Sequence, residues 1–280
     1  MKLLVAEKSK TKKTQSPQEK KKRIIYWSVL GVGAVLIIAA MAIFVFRADE
    51  ETSARSEYES VRDAFFYIAN PAYHDTSGGM PNESEPIADS EDAPGGDLGD
   101  IIDEAQQRRL AMANLLEINS DFIGWISIEG LIEYPVVRGS DNSKYLNTTF
   151  KGQRNSAGTI FMDYRHSLGF DESICILYGH LTRDGTMFSE LHRFRDSEFL
   201  QENPYIKVTT LDGELLTYRV FAAKITDVWN SAYTLSITNT TRAIADFPNT
   251  PRDASRFLLL STCTPGLNDD ERLLVFAALA

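Results

Sequence analysis

The 280-residue sequence predicts a mainly β domain, a closed or nearly closed β-barrel of about eight strands, preceded by one transmembrane helix. Three observations lead to this fold class. Short β-type runs separated by turn residues follow one another from residue 122 to the end. A pattern of helical spacing comes directly before them, and an uncharged segment lies near the N-terminus.

The charge of the first 23 residues is opposite to that of the rest. Residues 1–23 contain nine Lys/Arg against Glu7 and Glu19, a net charge of +7. The remaining residues contain 20 basic and 37 acidic side chains, a net charge of −17. A basic tail of this kind suits either nucleic acid or the cytoplasmic side of a membrane, and the next segment favours the membrane.

Residues 24–46 are uncharged and are predicted to cross the membrane. At about 1.5 Å per residue a helix of this length spans roughly 35 Å, which is enough for a bilayer. Tyr26 and Trp27 lie at its basic end, where interfacial aromatic residues are common. A cleaved signal peptide is the alternative, but the apolar run exceeds the usual length of about 7–15 residues and no A-x-A site follows closely. We therefore expect an uncleaved signal-anchor with residues 1–23 in the cytoplasm and the rest outside.

Residues 47–100 are expected to form an acidic extracellular stalk or linker. Residues 56–73 have the spacing of a short amphipathic helix. From residue 74 to 100 the composition changes to Gly, Pro, Ser, Asp and Glu, with almost nothing to bury, as in a flexible tether. The globular domain is then expected over residues 101–280.

A helix is predicted to begin near Ile101 and to end at Asn119–Asp121. Two helical interruptions of the strands are predicted at Met187–Gln201 and, more weakly, near Thr240–Phe247. The predicted strands are Phe122–Ile128, Tyr134–Arg138, Gly158–Met162, Ile174–Tyr178, Tyr205–Thr210 and Leu215–Val228. Two more lie within Phe257–Phe276, around the apolar runs Phe257–Leu260 and Leu273–Phe276.

The last two strands, in the stretch FLLLSTCTPGLNDDERLLVF (257–276), carry a candidate reactive thiol. Cys263 ends the first of them, and Arg272 opens the second after a tight connection. Neighbouring strands would bring the thiol and the guanidinium to one edge of the sheet, where a permanent positive charge favours the thiolate. A buried structural cysteine followed by a surface arginine explains this stretch equally well.

A second strand-like run, ICILYGH (174–180), favours the reactive thiol because it ends in His180. One strand that ends in histidine and another that ends in cysteine are the minimum for a thiol–imidazole pair. Alternation along the strands places Tyr178 on the face of His180 and Ser261 on the face of Cys263. The same alternation points Cys175 away, so it is expected to be a buried, unreactive thiol rather than a disulfide partner.

The set YGH, LSTC and an arginine nine residues further resembles the sortases, membrane-anchored cysteine transpeptidases of Gram-positive bacteria. From about Asn119 to the C-terminus, further runs are similar to the class B branch: FIGWISIEG, YPVV, DNSKYL, GTIFMDYR and DGTMF. The resemblance implies a sortase barrel with an N-terminal helix and helical insertions. It also implies that the enzyme cleaves a C-terminal sorting signal of exported proteins and transfers the acyl group to an amine of a cell-wall precursor or a pilin lysine.

The resemblance also assigns the residues. Cys263 matches the nucleophile that holds the peptide as a thioacyl intermediate, and His180 the residue that exchanges protons with the two amines. Arg272 matches the arginine that positions the substrate and stabilises the oxyanion. Residues expected to bind the substrate are Asn142, Leu146, Tyr178, Ser261 and Thr264, the last as a second donor to the oxyanion through its backbone N–H.

Neither a cofactor nor a metal is expected, because no two histidines have the spacing of metal ligands. His166 is expected to be solvated in a loop and His192 to lie on the surface of a helix. Nucleic acid is not an expected partner. The alternatives are another cell-wall cysteine enzyme, such as a papain-like peptidase or an L,D-transpeptidase, and a non-catalytic membrane-tethered binding module whose two cysteines form a disulfide.

Overall fold

The structure, a computed structural model, describes residues 17–70, 104–167, 169–245, 247, 249–251, 253–266 and 270–280. The first sixteen residues of the basic tail, residues 71–100 of the expected stalk, the expected helix start at residue 101 and loop residues 267–269 lie outside this part of the chain. The chain divides into two compact units, Met1–Asp49 and Glu50–Ala280.

In the first unit, the described residues belong to helix α1, Pro17–Ala69. By length and composition, this is the one helix among the described residues that could cross a membrane. Its apolar side chains are exposed from Ile25 to Phe46, as expected of a surface that faces lipid. The position agrees with the uncharged segment that the sequence predicts to span the bilayer.

The second unit contains a closed barrel of eight strands in the order β1-β2-β3-β4-β7-β8-β6-β5, which confirms the predicted fold class. Most pairs are antiparallel, whereas β2 with β3 and β4 with β7 are parallel. The strands are β1 Phe122–Ile128, β2 Ile132–Val137, β3 Ile160–Met162, β4 Ile174–Tyr178, β5 Tyr205–Thr210, β6 Leu215–Asp227, β7 Phe257–Cys263 and β8 Glu271–Leu279.

Helices cover the barrel at the predicted places. Helix α2, Glu104–Ile118, precedes β1 and buries Ala111, Met112 and Leu115 on one side, as helical spacing requires. The first interruption is a 3₁₀ helix, Ser189–Arg195, followed by α3, Ser197–Glu202. The second is a 3₁₀ helix, Ser231–Thr234, followed by α4, Ile237–Ile244.

The second interruption explains why β7 is apolar on both faces. One face of β7 belongs to the barrel interior, through Leu258 and Leu260. The other face packs, through Leu259, in a second cluster that includes Ala232 and Ile244 from the second interruption. A strand that is buried on both sides appears in the sequence as a continuous apolar run rather than as an alternating one.

The second unit begins earlier than the sequence suggests. Residues 50–69 of α1, which the sequence assigns to the stalk, bury Ala54, Tyr58, Val61 and Phe65 in the core of the barrel domain. The ring of Phe65 stacks on Trp125 with centroids 4.3 Å apart, a contact that is worth about 0.5–1.5 kcal/mol beyond its buried area. The amphipathic pattern near residues 56–73 therefore marks a segment that packs on the barrel.

Candidate active site

The ends of β4 and β7 bring His180 and Cys263 to the same edge of the barrel. The two strands are parallel, and Tyr178 pairs with Ser261. The amide of Gly179 donates to the Ser261 carbonyl at 3.1 Å, so the register continues past the end of β4. His180 is two residues beyond Tyr178 and Cys263 is two residues beyond Ser261. The parallel register therefore brings both residues to this edge, where their side chains line the same cleft.

Arg272 is brought to this edge by the antiparallel pairing of β7 with β8. Cys263 and Arg272 are direct partners at the end of the ladder. Both side chains are half-buried, and the guanidinium Nη1 donates to the carbonyl oxygen of Glu271 at 2.8 Å. An arginine carries five N–H donors in a planar fork, so the same side chain can keep this contact and also meet a bound group.

The ring of His180 is oriented by a turn between β2 and β3. Its Nε2 lies 2.7 Å from the carbonyl oxygen of Leu146, in the 3₁₀ turn Lys144–Leu146. Because a carbonyl only accepts, Nε2 carries the proton in this bond, and Nδ1 is left to exchange a proton with a reacting group. The carbonyl can be this close because residue 158 is glycine with φ of +61°. A Cβ there would lie 2.8 Å from the Leu146 oxygen and 3.1 Å from Cδ2 of His180.

His180, Cys263 and Arg272 line one cleft of about 430 Å³. Of the five residues expected to contact substrate, the cleft includes Asn142, Leu146, Tyr178 and Ser261. Thr264 follows Cys263 but is not among the lining residues, and its hydroxyl lies 3.5 Å from Oε2 of Glu271. Residues of the lining that the sequence analysis did not identify are Phe161, Asp163, Arg165, Gly179, Val228, Tyr233 and Thr262.

One wall of the cleft contains a buried carboxylate. Asp163 follows β3, and its side chain has no exposed surface. It accepts hydrogen bonds from Arg165, Tyr178 and Asn142. Burial alone would raise the pKa of Asp163, but the hydrogen bonds from Arg165 and Tyr178 lower it to about 2, so the group is an anion near neutral pH. The pKa of Tyr178 is raised, first by burial and then by this carboxylate, so its phenol stays protonated and remains a donor.

Tyr233 lines the cleft from the 3₁₀ helix between β6 and α4. Its hydroxyl lies 2.9 Å from Oγ of Ser261, and burial raises its pKa. Its ring is nearly parallel to that of Tyr178, with centroids 6.4 Å apart. The sequence offered no signal for Tyr233, because it lies in an irregular segment. Asp163 and Arg165 follow a strand in the run GTIFMDYR, and polar residues at a strand end are a sequence signal for them.

Two histidines differ from expectation. His166 is 3% exposed, not solvated, because the chain after β3 folds back over β4 and the Ile176 amide donates to Nε2 of His166 at 3.1 Å. Burial lowers the pKa of His166. His192 is half-buried, and its Nε2 lies 2.8 Å from the backbone carbonyl oxygen of Cys263. Neither placement could be inferred from the local sequence, since both depend on segments that are distant along the chain.

Cys175 is where alternation along β4 predicts it. Its side chain is fully buried, and Sγ lies 3.4 Å from the carbonyl oxygen of Gly169. Burial raises the pKa of this thiol to about 12, so it is a protonated thiol near neutral pH. Both cysteines are free thiols, which argues against the alternative of a binding module closed by a disulfide.

Comparisons with known proteins find similar sequences and similar folds. The profile of the sortase domain matches residues 126–280. Sortase B of Listeria monocytogenes is 36% identical over 107 residues, which are 38% of this chain and 41% of that protein. The chain thus spans less than half the length of the curated relatives that it matches.

Two solved structures are similar over most of their own length. Clostridium perfringens sortase B has a TM-score of 0.54 and 27% identity, over 60% of this chain and 98% of that one. Spy0129, a Streptococcus pyogenes class B sortase involved in pilus biogenesis, has a TM-score of 0.53 and 28% identity, over 60% and 97%.

Proposed function

The chain belongs to the sortase family, in its class B branch, and we propose that it is a cysteine transpeptidase that acts on C-terminal sorting signals. The observation that supports this most directly is that three strand ends bring His180, Cys263 and Arg272 to one cleft. The cleft also has polar and aromatic walls suited to an extended peptide. The proposed substrates are surface proteins that carry such a signal.

In the first half-reaction, the Cys263 thiolate attacks a backbone carbonyl of the sorting signal. A C–S bond forms, the carbonyl oxygen becomes an oxyanion, and Arg272 donates hydrogen bonds to it. The C–N bond then breaks as protonated His180 gives its proton to the leaving amine. The products of this half are a thioester on Cys263 and the released C-terminal fragment.

In the second half-reaction, an amine attacks the thioester and transfers a proton to neutral His180. The C–S bond breaks, the thiolate of Cys263 returns, and a new amide joins the protein to the acceptor. We propose an amine of a cell-wall precursor or a pilin lysine as the acceptor. The two halves need opposite protonation states of His180, and the first half leaves His180 neutral, as the second half requires.

Mass spectrometry of the undigested second unit, Glu50–Ala280, tests this proposal. The chain from residue 50 onward is incubated with a panel of synthetic sorting-signal peptides, and each acyl-enzyme appears as an added mass that hydroxylamine removes. Cys263→Ala should show no adduct with any peptide. An adduct on Cys175, or an adduct that persists in Cys263→Ala, would contradict the assignment of the nucleophile.

We also propose that residues 24–46 are a signal-anchor, with residues 1–23 in the cytoplasm and the catalytic domain outside the cell. The exposed apolar surface of α1 supports the anchor, and the basic tail supports its orientation. Protease added to intact protoplasts should remove the barrel domain and leave the basic tail protected. A protected barrel domain would contradict both the orientation and the role at the cell surface.

A further inference from the structure

Asp163 is the centre of a hydrogen-bond network that joins several residues of the cleft. Its Oδ1 accepts from Nε of Arg165 at 2.8 Å, and its Oδ2 accepts from Nη2 of Arg165 at 2.7 Å. The same Oδ2 accepts from the Tyr178 hydroxyl at 2.9 Å and from Nδ2 of Asn142 at 3.1 Å. All three partners line the cleft, and they come from three different segments.

The network continues from Arg165 to Tyr233. Nη2 of Arg165 also donates to the backbone carbonyl of Tyr233 at 3.0 Å. The Tyr233 hydroxyl in turn meets Ser261, two residues before Cys263 on β7. One carboxylate therefore connects the loop after β2, the end of β4 and, through Arg165, the segment between β6 and β7.

The network fixes the orientation of the Asn142 side-chain amide. Its Oδ1 accepts from the amide of Tyr164 at 2.9 Å while Nδ2 donates to Asp163. These two bonds determine which way the amide faces. They leave one N–H and one lone pair of Asn142 for another partner. The backbone of an extended peptide offers matching acceptors and donors.

We propose that Asp163 is a positioning residue for the sorting peptide: it holds Asn142, Tyr178 and, through Arg165, Tyr233 in the geometry that binds the peptide backbone. The proposal rests on the function proposed above. Among the described residues, the hydrogen bonds of Asp163 do not include one to Cys263 or His180. It therefore acts on peptide binding and not on the reactivity of the thiol. Groups fixed before binding lose less conformational freedom when the peptide binds.

The test compares Asp163→Asn with Glu133→Gln, using the peptide that acylates Cys263 fastest. Glu133 is a matched control because its partly buried carboxylate also accepts hydrogen bonds, from Trp125 and Ser127, but does not line the cleft. Asp163→Asn should raise KM by about tenfold or more, because it removes charge-assisted bonds to Arg165 and Tyr178. It should leave the rate of Cys263 alkylation by iodoacetamide within about twofold of wild type, as a change confined to binding requires. Glu133→Gln should change neither quantity.

Two further variants keep the test open if Asp163→Asn does not fold. Tyr178→Phe removes a single hydroxyl from the network, and Arg165→Lys keeps the positive charge but loses the planar fork. Each should raise KM with little change in alkylation. A wild-type KM in all the variants that fold, or a fall in kcat together with slower alkylation, would overturn the proposal.

Hydrogen exchange tests the positioning role of Asp163 without depending on the proposed transpeptidase activity. In Asp163→Asn and Arg165→Lys, the amides of residues 231–234 should exchange faster, while those of β7 and β8 stay protected. Unchanged exchange at 231–234 in both variants would overturn the positioning role. If wild-type protein forms no acyl-enzyme with any peptide, the proposed transpeptidase function is wrong. Hydrogen exchange at residues 231–234 still decides whether Asp163 holds Tyr233 in place.

Discussion

The imidazole of His192 lies 2.8 Å, at Nε2, from the backbone carbonyl oxygen of Cys263. Cys263 is the last residue of β7, so beyond this point the ladder no longer holds the backbone. A carbonyl only accepts, so the ring donates through Nε2. Because the peptide unit is planar, this bond also sets the orientation of the Cys263–Thr264 peptide.

The first prediction concerns this bond. His192→Phe should lower kcat/KM by up to about tenfold, the effect of losing one hydrogen bond that positions the nucleophile. His192→Gln retains a donor and should recover a large part of the loss. The measurement is kcat/KM for one acylating peptide, with thermal unfolding as the control for folding. Wild-type kinetics in His192→Phe would show that β7 holds Cys263 without the histidine.

The second prediction concerns the shape of the Arg272 side chain. Arg272→Lys keeps the charge opposite Cys263, but an ammonium cannot reproduce the planar fork of donors. We expect kcat to fall by about 100-fold or more, as when one oxyanion donor is removed from a hydrolase. Single-turnover acylation measures this directly. Near-wild-type acylation would show that positive charge alone is sufficient.

The third prediction distinguishes the two cysteines. In the folded protein iodoacetamide should modify one thiol per chain, Cys263, because Cys175 is buried and burial raises its pKa to about 12. Two thiols should react in denaturant. Cys175→Ala should retain most activity and lose about 1–2 kcal/mol of stability through the small cavity that it leaves. A 175–263 disulfide in active protein would contradict both statements.

The fourth prediction concerns stability against pH. Burial lowers the pKa of His166 in the folded protein below its unfolded value of about 6.5. Below about pH 6.5 the unfolded chain therefore binds a proton at His166 more readily than the folded chain does. His166 lowers the free energy of unfolding as pH falls through this range and has no such effect above it. His166→Gln should have a melting temperature that changes less between about pH 7.5 and pH 5 than that of wild type. Equal slopes would show that other groups cause the dependence. Asp163 does not affect this comparison. Its pKa is lowered to about 2, so its contribution to stability changes mainly below about pH 4.

The fold was largely predictable because the strands carry strong local signals. β1, β4 and β5 have the predicted bounds, since each is an apolar or alternating run between turn residues. The start of the domain was not predictable in the same way. Residues 50–69 are amphipathic, but where their apolar face packs is determined by the side of the barrel that carries Trp125, which the sequence does not reveal.

The candidate site was likewise predictable only in part. His180 and Cys263 end apolar runs, and so alternation and family resemblance together predict them. The Asp163 network could not be found in this way. Its bonds join Asn142, Arg165 and Tyr178 across loops, and they exist only because β3 and β4 return the chain to the same edge of the barrel. His192 reaches Cys263 for the same reason, from a helix about 70 positions earlier.

The parallel pairing of β4 with β7 also affects when the site can form. Tyr178 pairs with Ser261, about 80 positions further along the chain, so the pairing requires closure of a long loop. Non-local pairings of this kind assemble late and slowly compared with hairpins. A partly folded chain therefore holds Cys263 apart from His180 until the barrel closes. Only a chain whose barrel has closed therefore brings the thiol and the imidazole to one cleft.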